Sequence, residues 1–171
     1  MLIRPAAPQD LPAIQAIYAH HVLHGLASFE EVPPPVEEMR RRFAEVTGQG
    51  LPYLAAEEAG EVLGYGYCTL YRTRSAYRYT LEDSVYVKEG QQGKGIGKAL
   101  LAELIARCEA LNYRQIVAVI GDSANLASIA LHASLGFVRA GNLRSTGYKL
   151  GRWVDSVLMQ RPLGAGDGTR P

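Results

Sequence analysis

The residues best suited to chemistry lie in one short run. In EGQQGKGIGKALLAEL, residues 89–104, Gly93, Gly95 and Gly97 recur at every second position, and an apolar helical pattern follows at once. Glycine lets backbone N–H groups crowd around one point without Cβ clashes. A helix N-terminus adds its partial positive charge, and Lys94 and Lys98 bring mobile cations. The run reads as an anion cradle for a ligand carrying a diphosphate. Two familiar phosphate motifs do not describe it. A Walker A loop needs GxxxxGK followed by Ser or Thr. Lys88 and Gln92 stand where its first glycine would be, and Ala99 follows Lys98. A dinucleotide fingerprint needs a third glycine, and Lys98 occupies that place. The competing reading is a tight strand-to-helix turn that needs glycine only for its geometry.

A cradle of this kind must be held between a strand and a helix, and the chain supplies both. YTLEDSVYVK, 79–88, reads as the strand; Gly97–Leu111 reads as the helix, with Ala99, Leu100, Leu104, Ile105 and Cys108 on one side. QIVAVIG, 115–121, is a continuous apolar run and so a strand buried on both faces. Asn125–Leu135 is a short helix ended by Gly136. Upstream, LIRPA, 2–6, is a first strand, and Leu11, Ile14, Ile17, Tyr18 and Val22 mark a helix from Asp10 to Leu23, ended by Gly25. Pro33, Pro34 and Pro35 exclude a regular element, and Pro35 can open a helix running to Thr47. The β-rich segments 52–58 and 61–71 are joined by Ala59-Gly60, a hairpin signal. Residues 137 to about 161 read as two more strands around Gly147 and Gly151. This order predicts an α/β fold, a mixed sheet with helices on its faces. Residues 1–163 form one domain, and the Gly-rich segment 164–171 is expected to be a flexible C-terminal tail.

Composition narrows the partners. With 47% hydrophobic and 20% charged residues the chain is ordinary globular protein, and a net charge of +1 gives no basic field for nucleic acid or an anionic membrane. No apolar run approaches the ~20 residues of a membrane span, and MLIRPAAPQD lacks the apolar core of a secretory signal. The expectation is a cytoplasmic protein with neither nucleic acid nor membrane as partner. Cys68 and Cys108 lie outside any CxxC or Cys/His cluster and are expected as packed core thiols. His20, His21 and His24 have no accompanying carboxylate or Cys, so no metal is expected.

Two stretches resemble a known family. Gln92-x-x-Gly95-x-Gly97 is similar to the pyrophosphate loop of the GNAT superfamily of N-acetyltransferases, and NLASIALHASLGF, 125–137, resembles its second cofactor motif. SFEE at 28–31, YRTRSAYRYTLEDSVYV at 71–87 and GYKLGRWVDSVLMQ at 147–160 look like the subgroup that acetylates phosphinothricin and methionine sulfoximine. The resemblance runs from Leu2 to about Leu163. It implies a mostly antiparallel central sheet flanked by helices, with a splayed strand pair holding the cofactor. It also implies acetyl-CoA as co-substrate, a small amino-acid-like acceptor acetylated at its α-amine by direct attack in a ternary complex, and a homodimer.

The same resemblance assigns residues. Val85, Tyr86 and Val87 would offer backbone groups to the pantetheine, a form of strand addition. Gln92, Gly93, Lys94, Gly95, Ile96, Gly97 and Lys98 would hold the diphosphate, and Asn125 and Ser134 would meet the cofactor farther along. Glu82 would be the base that takes a proton from the acceptor's ammonium, directly or through water. Asp83 alternates with it, so the two carboxylates should face opposite sides, and either could instead pair with Arg72, Arg74 or Arg78. Arg72, Thr73 and Arg74 would hold the acceptor's carboxylate and oxygenated head, joined by Phe29 as an apolar wall, Glu30 toward the ammonium, and Asp83 and Ser84 from the strand. Many relatives place Tyr where this chain has His132. An imidazole there could protonate the leaving thiolate, or it could simply pack. Acetylation of a peptide, protein or other amine, and a non-catalytic CoA-binding module, are the alternative readings.

Overall fold

The structure is a computed structural model that describes residues 1–171. Thirteen segments alternate along it. Strand β1 covers Leu2–Pro5, and a 3-10 turn at Pro8–Asp10 leads into α1, Leu11–His24. Helix α2, Val36–Gly48, precedes β2, Tyr53–Glu58, and β3, Glu61–Leu70. A 3-10 turn at Ser75–Tyr77 leads to β4, Thr80–Val87; α3, Ile96–Ala110; β5, Gln115–Gly121; and α4, Leu126–Ala133. Strands β6, Val138–Lys149, and β7, Arg152–Pro162, close the chain.

Local chemistry explains the boundaries. Gly25 caps α1, and Pro35 stands as N-cap of α2 in an extended conformation, leaving the first helical turn to Val36. Ala59 and Gly60 both have positive φ, which suits a tight hairpin turn between β2 and β3. Gly151, also at positive φ, turns β6 into β7, while Gly147 lies inside β6 itself.

One sheet unites all seven strands in the order β1-β2-β3-β4-β5-β7-β6, and every neighbouring pair is antiparallel except β4 with β5. Strand β7 therefore inserts between β5 and β6. Alternation along β3 separates the two faces. Tyr65 and Tyr67 stack with Tyr53 beneath α1 and α2, whereas Gly64 and Gly66 face α3. A Cβ at Gly64 would stand 2.9 Å from the Tyr86 carbonyl oxygen and 3.1 Å from Ile96, so glycine permits the close approach of α3. Leu100, Leu101 and Leu104 are fully buried there, each contributing about 1.5–3 kcal/mol by leaving water. Cys68 of β3 and Cys108 of α3 meet in this core as free thiols, sulfur to sulfur 3.6 Å. Segment 164–171 folds back in turns, where the Arg114 guanidinium donates to Thr169 Oγ1 and the Arg170 carbonyl, both at 2.9 Å.

Candidate active site

The site begins where the sheet fails to close. Strands β4 and β5 pair only from Thr80↔Gln115 to Asp83↔Ala118, and beyond that register they diverge. Successive residues of a strand send their backbone groups to opposite edges. The Thr80 carbonyl accepts from Tyr71 N–H, and Lys88 N–H donates to Leu63, so even-numbered residues of β4 face β3. The Tyr79 carbonyl accepts from Arg114 and Gln115, so odd-numbered residues face β5. Val85 and Val87 thus turn their backbone groups toward the gap. His21 Nε2, 2.9 Å away, takes the Val87 carbonyl; it donates that bond as Nε2–H.

A groove of about 370 Å³ opens along this edge. It is lined by Val85, Tyr86, Val87, Gln92, Gly93, Gly95, Ile96, Gly97, Lys98 and Asn125, all of them anticipated. It also contains His21, Ala27, Gln91, Ala127, Ser128 and Leu131, which sequence reasoning did not assign. Gly93 and Gly95 sit at φ +78° and +81°, and a Cβ at either would meet no protein atom. Their backbone faces open space at the N-terminus of α3, as an anion cradle requires. Gly95 is the N-cap of that helix. Lys94 and Ser134 lie off the groove. Lys94 Nζ donates to Gln91 Oε1 at 2.8 Å, and the exposed Ser134 hydroxyl donates to the Leu131 carbonyl. Asn125 caps α4, its side-chain oxygen accepting from Ser128 N–H at 3.2 Å.

The paired carboxylates of β4 face opposite sides of the sheet. Glu82 lies on the α1 side, 3.7 Å from Arg72 Nη1. Burial pushes its carboxyl above the ordinary value, and the Arg72 charge only partly opposes this. Arg72 itself lies over the Tyr71 ring, 4.1 Å from its centroid. Thr73 and Arg74 occupy the exposed loop beyond, where Arg74 precedes the Ser75–Tyr77 turn. Asp83 points the other way and is buried, with His132 Nε2 at 3.0 Å; its partner is this imidazole, not an arginine. His132 is not among the residues lining the groove. It borders a smaller cavity of about 50 Å³ together with Asp83, Ser84, Tyr86 and Ser128.

The α1–α2 loop closes the site from above. A Cβ at Gly121 would lie 2.1 Å from the Leu26 carbonyl oxygen, and one at Gly147 would lie 2.5 Å from the Phe29 ring. The loop therefore rests directly on the backbones of β5 and β6. The buried Lys149 ammonium donates to the Ser28 carbonyl at 2.7 Å and fastens the same segment. Glu30 has partners of its own: Tyr18 Oη donates at 2.9 Å and Arg42 Nη1 at 2.6 Å. Burial would raise the Glu30 carboxyl, but these bonds outweigh it and hold it below its usual value. Its carboxylate is already committed to them, so an incoming ammonium would have to share it with Arg42. The N-terminal histidines separate in the same manner: His20 faces Glu89 at 3.2 Å while His21 serves β4.

Comparison with known proteins places this geometry. A family model described as an acetyltransferase (GNAT) domain matches residues 3–158. The chain is 61% identical over 169 residues to a phosphinothricin N-acetyltransferase of Alcaligenes faecalis, covering 99% of this chain and 86% of that protein. It is 43% identical over 159 residues to an L-methionine sulfoximine/L-methionine sulfone acetyltransferase of Pseudomonas paraeruginosa, covering 92% of each. Among solved structures, a phosphinothricin acetyltransferase from Sinorhizobium meliloti in complex with AcCoA superposes with a TM-score of 0.97 at 50% identity, covering 99% of this chain and 92% of that one.

Proposed function

Since the chain belongs to the GNAT acetyltransferase family, it is an acetyl-CoA-dependent N-acetyltransferase of small amino-acid analogues, and we propose that the torn end of its sheet is where the transfer occurs. The carrying observation is the gap beyond Asp83↔Ala118, which turns backbone of Val85 and Val87 that β5 does not pair toward a glycine-lined groove. Acetyl-CoA fits this arrangement in two respects. Its pantetheine amides match the free strand edge, and its diphosphate matches the N–H cradle at Gly93–Gly97 with Lys98 alongside. When bound it supplies an activated acetyl group.

The chain's own residues do the rest. Glu82, half-buried and held above the ordinary carboxyl range, is suited to receive a proton from the acceptor's ammonium. Val85 N–H, facing the gap, is placed to steady the developing oxyanion. Arg72 and Arg74 stand at the acceptor end for the carboxylate and the oxygenated head. Phe29 forms an apolar wall, and Glu30, Thr73 and Ser84 complete the acceptor surroundings, whereas Asp83, expected there, is buried on the other face of β4 against His132. His132 is the proton donor to the departing thiolate. The amine attacks directly, because both cysteines are sealed in the core between β3 and α3, away from the groove.

The acceptors are of the phosphinothricin, methionine sulfoximine and methionine sulfone type. The decisive experiment is a thiol-release assay with acetyl-CoA against these three and ordinary amino acids. Rapid release with the oxygenated analogues supports the reading, and equal rates with unrelated peptides would move it to a peptide acceptor. No metal is required, since glycine N–H groups and lysine supply the positive potential; turnover should be unchanged by EDTA. The protein is cytoplasmic and a homodimer, with no nucleic acid or membrane partner. Two features support the last points: free thiols suit a reducing compartment, and the edge hairpin β6–β7 exposes Val138, Tyr148 and Trp153 by more than half.

A further inference from the structure

His132 is bonded in a way that fixes its protonation. Its Nδ1 lies 2.7 Å from the Ser128 carbonyl oxygen, one turn back in α4, and its Nε2 lies 3.0 Å from Asp83 Oδ2. A carbonyl only accepts, so Nδ1 carries a proton. An ionised carboxylate also only accepts, so a second proton lies between Nε2 and Oδ2. The pair thus holds one proton more than a neutral imidazole beside a carboxylate. The two side chains are only 6% and 2% exposed. Burial by itself would strip the charge from the imidazole, yet the bond to Asp83 outweighs it and pushes His132 above its ordinary value. Asp83 Oδ1 is buried without a hydrogen-bond partner. A desolvated carboxylate of this kind leans on the one cation beside it. Few other titratable groups approach the pair. Cys68, the register partner of Asp83 on β3, and Cys108 lie behind it, and Glu82 is next along β4 on the opposite face. Strand β5 and the rest of α4 carry no ionisable side chain, and Phe137 meets the imidazole edge-on.

The position is as informative as the bonding. The cavity of about 50 Å³ beside the pair is walled by Ser84, Val85 and Tyr86 on one side and Asn125 and Ser128 on the other. It joins the pair to the free edge of β4. We infer that Asp83 is a positioning residue for acetyl transfer: its carboxylate keeps His132 doubly protonated, and the pair stores the proton that the departing thiolate takes. This rests on the reading of His132 as proton donor. In the step, the amine nitrogen bonds to the acetyl carbon, the C–S bond breaks, and its electron pair leaves on sulfur. The Nε2 proton passes to sulfur across the cavity, leaving a neutral imidazole facing a carboxylate. That repulsive arrangement draws a proton back. Of the two protons lost by the ammonium nitrogen, one refills the pair and the other leaves to solvent.

Two measurements test the assignment. In ¹⁵N NMR of the whole protein across a pH series, His132 should keep two protonated nitrogens to higher pH than an ordinary imidazole does, and in Asp83→Asn it should lose one of them at lower pH than in the parent protein. In pH-rate profiles, the proton donor is lost as pH rises through its value. The alkaline limb of kcat should therefore shift to lower pH in Asp83→Asn, with KM for acetyl-CoA unchanged, and should vanish in His132→Asn. A His132 in the parent protein that loses its second proton no later than an ordinary imidazole, or a limb that does not move in Asp83→Asn, overturns the role of Asp83. A limb that persists in His132→Asn overturns the donor reading beneath it. Absence of thiol release with every acceptor would instead overturn the acetyltransferase reading, so the failures are distinguishable.

Discussion

Glu82 and Asp83 are adjacent in the chain and have opposite surroundings, Arg72 on one face of the sheet and His132 on the other, because a strand sends one to each face. Glu82→Gln should lower kcat by about 10²–10⁴-fold while leaving acetyl-CoA affinity intact, as read by steady-state kinetics beside calorimetry. A base acts only when ionised, so activity rises as pH passes upward through the raised Glu82 value. Arg72→Ala removes the charge that favours the carboxylate, and the acidic limb should then move to higher pH. Acceptor choice belongs to the same scale. Methionine offers a thioether, a weak acceptor, where its sulfone offers two oxygens. Unpaired donors in the pocket can cost about 10⁴ in specificity, so the sulfone should far exceed methionine in kcat/KM, and Arg74→Ala should narrow that difference. Equal specificity constants would remove the arginines from recognition. Side-chain direction along β4 was legible in the sequence, since alternation alone separates Glu82 from Asp83. The partners were not. His132 lies forty-nine residues from Asp83, and Arg42 of α2 reaches back to Glu30 in the preceding loop, pairings on which periodicity carries no information.

The glycine loop and the α1–α2 loop are the two elements whose conformation decides the site. Gly95 stands at φ +81° in open space, so a substitution there is strained and not crowded. Gly95→Ala should cost about 1–2 kcal/mol in stability and weaken acetyl-CoA binding by calorimetry; a folded variant with unaltered affinity would refute the cradle. Gly147→Ala has the contrary character. Its Cβ would enter the Phe29 ring, displacing the loop, so KM for the acceptor should rise with little change in KM for acetyl-CoA. The strand-loop-helix around Gly93–Gly97 was readable because glycine spacing and the apolar helical pattern are local. Where β4 and β5 part company was not, since residues 84–87 have the same β-rich character as the paired residues before them. The glycines at 121 and 147 likewise look like ordinary strand glycines until Leu26 and Phe29 are laid upon them. Lys149 and Arg42 hold this loop by their side chains, the two glycines let it approach the sheet, and Gln15 of α1 donates to the Pro34 carbonyl at 3.0 Å.

At the scale of the molecule, the helices and strands followed the sequence pattern to within a few residues, while the insertion of β7 between β5 and β6 could not be read from order along the chain. Ligand linkage and assembly are the properties of the whole. Acetyl-CoA at 100 times its Kd should add about 2.7 kcal/mol to stability, visible as a rise in Tm that S-acetylpantetheine, which lacks the diphosphate, does not reproduce. Light scattering should give a dimer, and Trp153→Glu on the exposed β6–β7 hairpin should yield monomers. One consequence of the torn sheet concerns genetics. The contacts proposed for acetyl-CoA on β4 and the glycine loop are with main-chain atoms, which every amino acid possesses. An alanine scan, which removes side chains and spares the backbone, would pass over the β4 part of that footing without a signal and register it only at the positive-φ glycines. Val85 and Val87 could drift among β-branched residues with little loss, whereas the same scan would register sharply at Glu82. In a population of related chains, the footprint of the co-substrate would be written in the glycines and in where the strand pairing stops, and scarcely at all in the residues that touch it.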